Sequence, residues 1–435
     1  MANIQINLNK TIGKIKPMNG VGQPPLNGIG YNLNNAFHYL TDANIPYSRL
    51  HDVAGAFGGG RFVDIPNIFR DFSADENDPS NYDFSFTDVL ISSLIKANVE
   101  PYFRLGVTIE NSAEVKSYRI DPPSDYDKWA RICEHIIRHY NEGWANGYEY
   151  RIKYWEIWNE PDDLTNAGTV SMMWNGTAVD YYRLYDVSAK HLKKCFPNIK
   201  IGGYAAIGFQ TITDDPENPD IWSERAKYWL EFFHGFMKYI KEHSSPIDFF
   251  SWHCYRTANR CITEGKYVLD QLKRYGYGDI ECHLNEWNPD PDTRGKAVHG
   301  AQVAAIMLGM QNIGMDLLCF YDARMQGSIY AGFFNPITFK PWHAYYSAAA
   351  FGELYKLQNQ VDLINDTEGL YAVCATNGKR SVLLISNVSG EKHDLNIIGC
   401  DLSDARYSVI DQDRLLSWSP KLNTIPNNTV IMIEF

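Results

Sequence analysis

Two glutamates stand in similar company far apart in the chain. Glu160 follows Asn159 in "YWEIWNEPD" (154–162), and Glu286 follows Asn285 in "HLNEW" (283–287). Both close a mostly apolar run, where a carboxylate is costly unless it is paired or put to use. Two carboxyl groups facing one another across a cleft are what glycosidic bond cleavage needs. One is protonated and hands its proton to the leaving oxygen, and the other is ionised and attacks the anomeric carbon. A gap of about 5–5.5 Å goes with a covalent intermediate and retention of configuration. The competing reading gives each carboxylate ordinary structural partners. A third acid, Glu156, lies inside the first run. Its expected role is structural, in a salt bridge or hydrogen-bond network of the interior, with Arg49 the obvious partner.

For the two glutamates to meet, the fold must bring the ends of their runs to one face. Eight short apolar runs alternate with helical patterns, at 18–22, 45–51, 99–106, 152–160, 198–205, 246–255, 279–287 and 315–322. Between the third and fourth, Trp129, Ile132, Ile136 and Tyr140 recur at spacings of three and four behind an N-cap candidate, Ser124 or Asp125. The segments 222–243 and 296–314 read the same way. Such alternation predicts an α/β fold with a parallel sheet covered by helices. Eight units fit a closed (β/α)8 TIM barrel over 15–357, whose strands open their C-terminal ends on one face. Glu160 and Glu286 are 126 positions apart, three units, and so come from non-adjacent strands. An open doubly wound sheet is the rival, weakened by the lack of a G-x-G-x-x-G turn. "FGGGRF" (57–62) lacks that spacing and reads as a loop above the second strand.

Past residue 358 the texture changes. "GLYAVCATNGKRSVLLISN" (369–387) predicts a hairpin turning at Asn377-Gly378. The segment 358–435 reads as an all-β, sandwich-like accessory domain, to which the alternating run within 1–14 adds a strand.

The chain's 435 residues are 45% hydrophobic, ample for a large core and a second domain. Its 11 Trp and 28 Tyr suit either a lined sugar site or simply a large core. A net charge of −12 without a long basic run argues against nucleic acid and against anionic membranes. No apolar stretch approaches the roughly 20 residues of a membrane span. The start, "MANIQINLNKTIGKIKP", has no signal-peptide core, so the expectation is cytoplasmic as written, and periplasmic or secreted if a signal peptide was removed. The eight cysteines show neither a C-x-x-C pair nor a Cys/His cluster at zinc spacing, and free thiols are expected. His253–Cys254 and Cys282–His283 are adjacent on strands and point to opposite faces, so no metal and no cofactor are expected. No apolar stripe stands out to indicate an oligomeric state.

At these residues a family resemblance appears. "WNEP" (158–161), with a second Glu closing the seventh strand, resembles the retaining (β/α)8 glycoside hydrolases of clan A. "SRLH" (48–51), "DFFSWHCY" (248–255) and "GFFNPITFKPWHAYY" (332–346) are similar to glycoside hydrolase family 39, which holds β-xylosidases and α-L-iduronidases. The resemblance implies an exo-acting retaining glycosidase that releases one sugar, xylose or arabinose for example, from plant-type glycans. By position it makes Glu160 the general acid/base and Glu286 the nucleophile. It also implies that Asn159 bonds the 2-hydroxyl, that Tyr255 orients the nucleophile, and that Arg49 keeps Glu286 ionised. His51 and His253 are expected to line the sugar subsite at the barrel bottom. The family usually places a Trp on the eighth strand, where this chain has "CFYDARM" (319–325). Tyr321 or a loop Trp is expected as the sugar platform instead, and Asp322 and Arg324 add two charges without an assigned role. Trp158 and Trp287 read as packing, and Glu110, Asp162 and Asp163 as solvated loop acids. A glycosidase for another sugar, an arabinofuranosidase or galactosidase, is the nearest alternative. A non-catalytic carbohydrate-binding barrel is the alternative from another class, and the intact pair of glutamates argues against it.

Overall fold

The computed structural model describes residues 1–26, 36–51, 63–108, 120–163, 173–212, 224–325 and 330–435. After β1 (Ala2–Lys14), eight parallel strands follow in sequence order: β2 (Gly20–Gly22), β3 (Tyr47–Leu50), β4 (Glu100–Leu105), β5 (Tyr154–Ile157), β6 (Lys200–Ala206), β7 (Phe249–Cys254), β8 (Glu281–Trp287) and β9 (Leu317–Tyr321). Pairing of Val21 with Phe320 joins β2 to β9 and closes them into a barrel. Seven of these strands fall inside a predicted run, and β6 overruns its run, 198–205, by one residue. The chain is a (β/α)8 barrel with a C-terminal all-β domain.

The helices are α1 (His38–Asp42), α2 (Ile65–Ile68), α3 (Ser85–Lys96), α4 (Tyr126–Asn141), α5 (Ala178–Cys195), α6 (Glu224–Glu242), α7 (Ala258–Tyr275), α8 (Ala297–Ile313) and α9 (His343–Leu357). Their ends follow local chemistry. The Asp125 carboxylate accepts from the Lys128 amide at 3.0 Å and starts α4. Thr177 and Asp180 form a reciprocal capping box at the start of α5. The apolar stripe of α4, Trp129, Ile132, Ile136 and Tyr140, is buried. Among the described residues no helix is long and apolar enough to cross a membrane.

Inside the barrel the side chains form layers. At one end Tyr102, Tyr154, Phe249, Leu317 and Cys319 pack as an apolar plug. Above them sits a polar layer, Arg49, Arg104, Glu156, Ser251 and Asn285, all buried. One local departure from regular pairing aims the upper side chains. Between β7 and β8 the register shifts, Trp252 facing Leu284 but His253 facing Glu286. The extra residue lets both Asn285 and Glu286 point inward. On β6, a Cβ at Gly202 would lie 2.2 Å from the Phe249 carbonyl oxygen, so the close approach of β6 to β7 requires glycine there.

The C-terminal strands are β10 (Asn359–Asn365), β11 (Leu370–Thr376), β12 (Ser381–Asn387), β13 (His393–Ile398), β14 (Arg406–Ile410), β15 (Leu415–Ser419), β16 (Thr424–Ile425) and β17 (Thr429–Glu434). With β1 they make one nine-stranded sheet, in which β1 runs antiparallel to β10 and parallel to β13. The β11–β12 turn spans residues 377–380, longer than the expected two-residue turn, because Asn377 Oδ1 accepts from the amides of both Lys379 and Arg380. One face of the sheet, including Val373, Val382, Leu384 and Met432, merges with the barrel core. The other face encloses a second core of Ile4, Ile6, Leu383, Val409 and Ile433.

Candidate active site

β5 ends at Ile157, short of the two residues that matter. The chain then turns through left-handed conformations at Trp158 (φ 73°) and Glu160 (φ 44°). Such conformations cost on the order of 1–3 kcal/mol each for non-glycine residues. Three hydrogen bonds hold the turn: the Trp158 amide donates to Leu105 O at 2.8 Å, the Glu160 amide to Ala205 O at 3.1 Å, and Trp158 Nε1 to Met173 O at 2.8 Å. Trp158 packs edge-on against Trp174 and Trp287 edge-on against Phe320, so both tryptophans are core residues. The turn delivers Asn159 and Glu160 together to the mouth.

Arg49 organises the floor. Its Nε donates to Glu156 at 2.8 Å, its Nη1 to Glu286 at 3.0 Å and its Nη2 to Asn159 Oδ1 at 2.6 Å. Burial disfavours the guanidinium's charge, but Glu156 and Glu286 outweigh it and raise its pKa. Glu156 is wholly interior and also accepts from Ser251 Oγ at 2.6 Å and Asn285 Nδ2 at 2.5 Å. With three donors on its two oxygens, Glu156 is a structural anion. Asn285, despite its matching place before a Glu, serves Glu156, whereas Asn159 has its oxygen held by Arg49 and its amide left to donate.

Glu286 has a donor on each oxygen: Arg49 on Oε2, and the Tyr255 hydroxyl on Oε1 at 2.6 Å. Both oxygens are thereby held in place by donors from opposite sides of the barrel mouth. Glu160 differs. Its carboxyl, 17% exposed, meets His253 Nδ1 at 2.7 Å. Burial first, then the nearby Asp163 charge, push its pKa up to about 8 against the opposing pull of Arg49 and Arg225. Burial drives His253 down to about 4, with Arg49 adding to the effect against Glu286. A neutral imidazole beside a protonated carboxyl accepts a hydrogen bond from the Glu160 carboxyl at Nδ1. The ring's own hydrogen then sits on Nε2, 3.8 Å from Glu286 Oε2 and beyond hydrogen-bond reach of it. One oxygen of Glu160, one of Glu286 and a nitrogen of His253 all lie within 4.8 Å of one another. Two full negative charges at that distance repel by about 3.5 kcal/mol at an effective dielectric of 20. One proton on the pair removes the conflict.

His253 therefore does not line the barrel bottom. It sits at the C-terminal end of β7, between the two carboxyls, because 251, 253 and 255 alternate inward along that strand. His51, just past β3, is held from behind: Arg104 Nε donates to its Nδ1 at 3.2 Å, and Arg104 Nη2 to Asp64 at 2.7 Å. Asp64 also accepts from the amide and hydroxyl of Thr108, each at 3.1 Å. Burial and then Arg104 push His51 well below its ordinary pKa. The ring is neutral with its hydrogen on Nε2, a donor.

Tyr321 is buried, its ring 6.4 Å from that of Tyr255 and 5.9 Å from that of Tyr330. Its hydroxyl receives Arg324 Nη2 at 3.1 Å. Arg324 also pairs with Asp322 at 2.7 Å, so the two unassigned charges neutralise each other beside Tyr321. Asp162 and Asp163 are not solvated, contrary to expectation. Asp162 accepts from the Ile207 amide, and Asp163 pairs with Arg225 of α6, which brings both acids under the rim. Glu110 and the 57–62 loop lie outside the described residues.

Sequence reasoning missed Ser251, Arg104, Asp64 and Arg225. A signal existed for two of them: Ser251 shares the inward parity of His253, and Arg104 interrupts the apolar strand "PYFRLG" (101–106). Among the described residues two groups have metal-ligand geometry, Glu160–His253–Glu286 and Glu134–His191–Cys195. In the first, Arg49 and Tyr255 already donate to both oxygens of Glu286, which leaves neither oxygen open to an ion. That set suits proton transfer.

A family profile described as "Glycosyl hydrolases family 39" matches residues 43–278. The span holds Arg49, Asn159, Glu160 and Tyr255 and stops short of Glu286, whose place rests on geometry. The chain is 25% identical over 279 residues to a β-xylosidase of Geobacillus stearothermophilus, covering 58% of this chain and 50% of the relative. It is 28% identical over 239 residues to a β-xylosidase of Caldicellulosiruptor saccharolyticus, covering 50% of this chain and 43% of that one. The chain thus spans about half the length of the curated relatives it matches. A crystal structure of a glucosidase from Croceicoccus marinus superposes with a TM-score of 0.74 at 19% identity, covering 100% of this chain and 98% of the other, a likeness of fold.

Proposed function

The chain belongs to glycoside hydrolase family 39, and from that premise we propose that it is a retaining exo-glycosidase, β-xylosidase-like in the sugar it releases. The observation that carries the mechanism is the placement of a Glu160 oxygen and a Glu286 oxygen within 4.8 Å of each other, in opposite environments. An inverting enzyme needs about 6.5–9.5 Å, to fit a water between the sugar and the base. In the first step Glu286 attacks the anomeric carbon while Glu160 gives its proton to the departing glycosidic oxygen. The C–O bond to the leaving group breaks and an ester to Glu286 forms. In the second step Glu160, now ionised, takes a proton from water, whose oxygen displaces Glu286. Arg49 and Tyr255 hold Glu286 in line, and the Asn159 amide faces the sugar as a donor.

The choice of xylose follows the names of the two curated relatives. The test is a panel of aryl β-xylosides, β-glucosides, β-galactosides and α-L-arabinofuranosides, with the anomeric form of the first product followed by proton NMR. The expected result is fastest release from the β-xyloside, with β-xylose formed first. Initial α-xylose would overturn the retaining mechanism. Preference for another glycoside would move the substrate and leave the mechanism standing. Sugar binding without cleavage of any of them, unchanged in Glu160→Gln, would replace the enzyme with a binding protein.

A further inference from the structure

On the outer flank of the barrel, away from the mouth, three metal-ligating side chains converge where α4 meets α5. We propose that Glu134, His191 and Cys195 form a binding site for a zinc-like divalent transition-metal ion. His191 and Cys195 stand at i and i+4 in the last turns of α5, hence on one face. Glu134 reaches them from α4.

The spacing suits a tetrahedral ion. Cys195 Sγ lies 3.8 Å from His191 Nε2. Bonds of about 2.3 Å to sulfur and 2.0–2.1 Å to nitrogen put two tetrahedral ligands about 3.5 Å apart. That edge is already nearly in place. Glu134 Oε2 touches His191 Nε2 at 2.5 Å and needs to withdraw by roughly 1 Å, a rotamer adjustment on a side chain that is not fully buried. All three ligand atoms lie within 4.8 Å of one another.

The surroundings also fit. Arg138 binds the other carboxylate oxygen, its Nε 2.8 Å from Oε1, which orients Glu134 and leaves Oε2 as a single-atom ligand. Cys195 is the last residue of α5, at the negative end of an 18-residue helix. Burial and Glu134 keep its thiol protonated until a metal displaces the proton. The fourth position falls to water, since His191 and Cys195 are only partly buried. A site read from spacing alone escapes notice, because the third ligand comes from another helix.

The experiment uses the full chain carrying Cys400→Ser, which removes the other half-buried thiol; the remaining six cysteines are buried. Cobalt(II) is titrated and thiolate-to-cobalt charge-transfer absorption is followed. The expected result is one equivalent bound, with the band abolished by Cys195→Ser, affinity reduced at least tenfold by His191→Ala, and the cobalt displaced by zinc. In the wild-type chain, zinc should slow labelling of Cys195 by a thiol reagent and raise the melting temperature. Glu160→Gln should bind cobalt unchanged, so the result does not depend on the glycosidase reading. No charge-transfer band at a hundredfold excess of cobalt would overturn the site. So would a band that survives Cys195→Ser in a chain whose circular dichroism matches its parent.

Discussion

At the scale of single residues, the site works by giving two chemically identical carboxyls different company. Glu286 has a cation and a phenol, and Glu160 has burial, an acidic neighbour and a neutral imidazole. As the proposed general acid, Glu160 acts only while protonated, so kcat/KM for an unactivated xyloside should fall as pH rises through about 8. Glu160→Gln should lose that alkaline limb on an aryl glycoside whose leaving group needs no proton. A limb near pH 8 that persists in the variant would assign it elsewhere. The same shift has a cost in stability. Because the folded pKa lies above the unfolded one, near 4.5, the folded state holds a proton that the unfolded state has released. Stability from this group is present below the unfolded pKa and is lost as pH rises toward 8, at up to about 1.4 kcal/mol per pH unit. Melting curves should therefore show Glu160→Gln gaining on the wild type between pH 5 and pH 8. Arg49 carries the opposite risk. Arg49→Met strands Glu156 without a cation and should cost about 3–5 kcal/mol in urea denaturation, with turnover essentially lost. Adding Glu156→Gln should restore part of the stability and none of the activity. If the double variant is no more stable than the single, the pairing is not what holds the floor together.

Elements show what a sequence does and does not disclose. Strand runs, inward parity and the Asp125 cap depend on neighbours within a few residues, and all were legible. So were Glu160, Glu286, Arg49 and Tyr255 as residues of one mouth, because strand ends in a parallel barrel share a face. The extra residue at Asn285 and the left-handed turn at Trp158 were not. Both depend on register against a strand dozens of positions away. For the same reason the place of His253 between the two carboxyls was not legible, and Asp162 and Asp163 were expected in solvent. Helix packing has a similar hidden constraint. On α9, a Cβ at Gly352 would lie 2.2 Å from the backbone oxygen of Ala43, just past α1. Gly352→Ala should improve helix propensity yet destabilise by about 1–3 kcal/mol, because backbone cannot yield as a side-chain tip can. A variant as stable as the wild type would mean that the α1–α9 contact is loose.

For the whole molecule, the question is whether barrel and sheet are separable. Val373, Val382, Leu384, Val430 and Met432 of the sheet belong to the same continuous core as the barrel helices. α8 is buried along most of its length, including Ala301, Ala304, Ala305 and Leu308. The Ser386 hydroxyl donates to Ala301 O at 2.7 Å and Asn312 Nδ2 to Ala372 O at 3.1 Å, so polar groups cross the seam as well. β1 adds a covalent tie, since the chain starts in the sheet, passes through the barrel and returns. Cutting there would expose an apolar helix face and leave backbone donors and acceptors unpaired, a combination that favours aggregation. Residues 15–357 expressed alone should therefore be largely insoluble, or should bind a hydrophobic dye and melt without a cooperative transition, while the full chain melts as one unit. A soluble 15–357 fragment with a sharp melt and full xyloside turnover would show instead that the sheet is an appendage the barrel can do without.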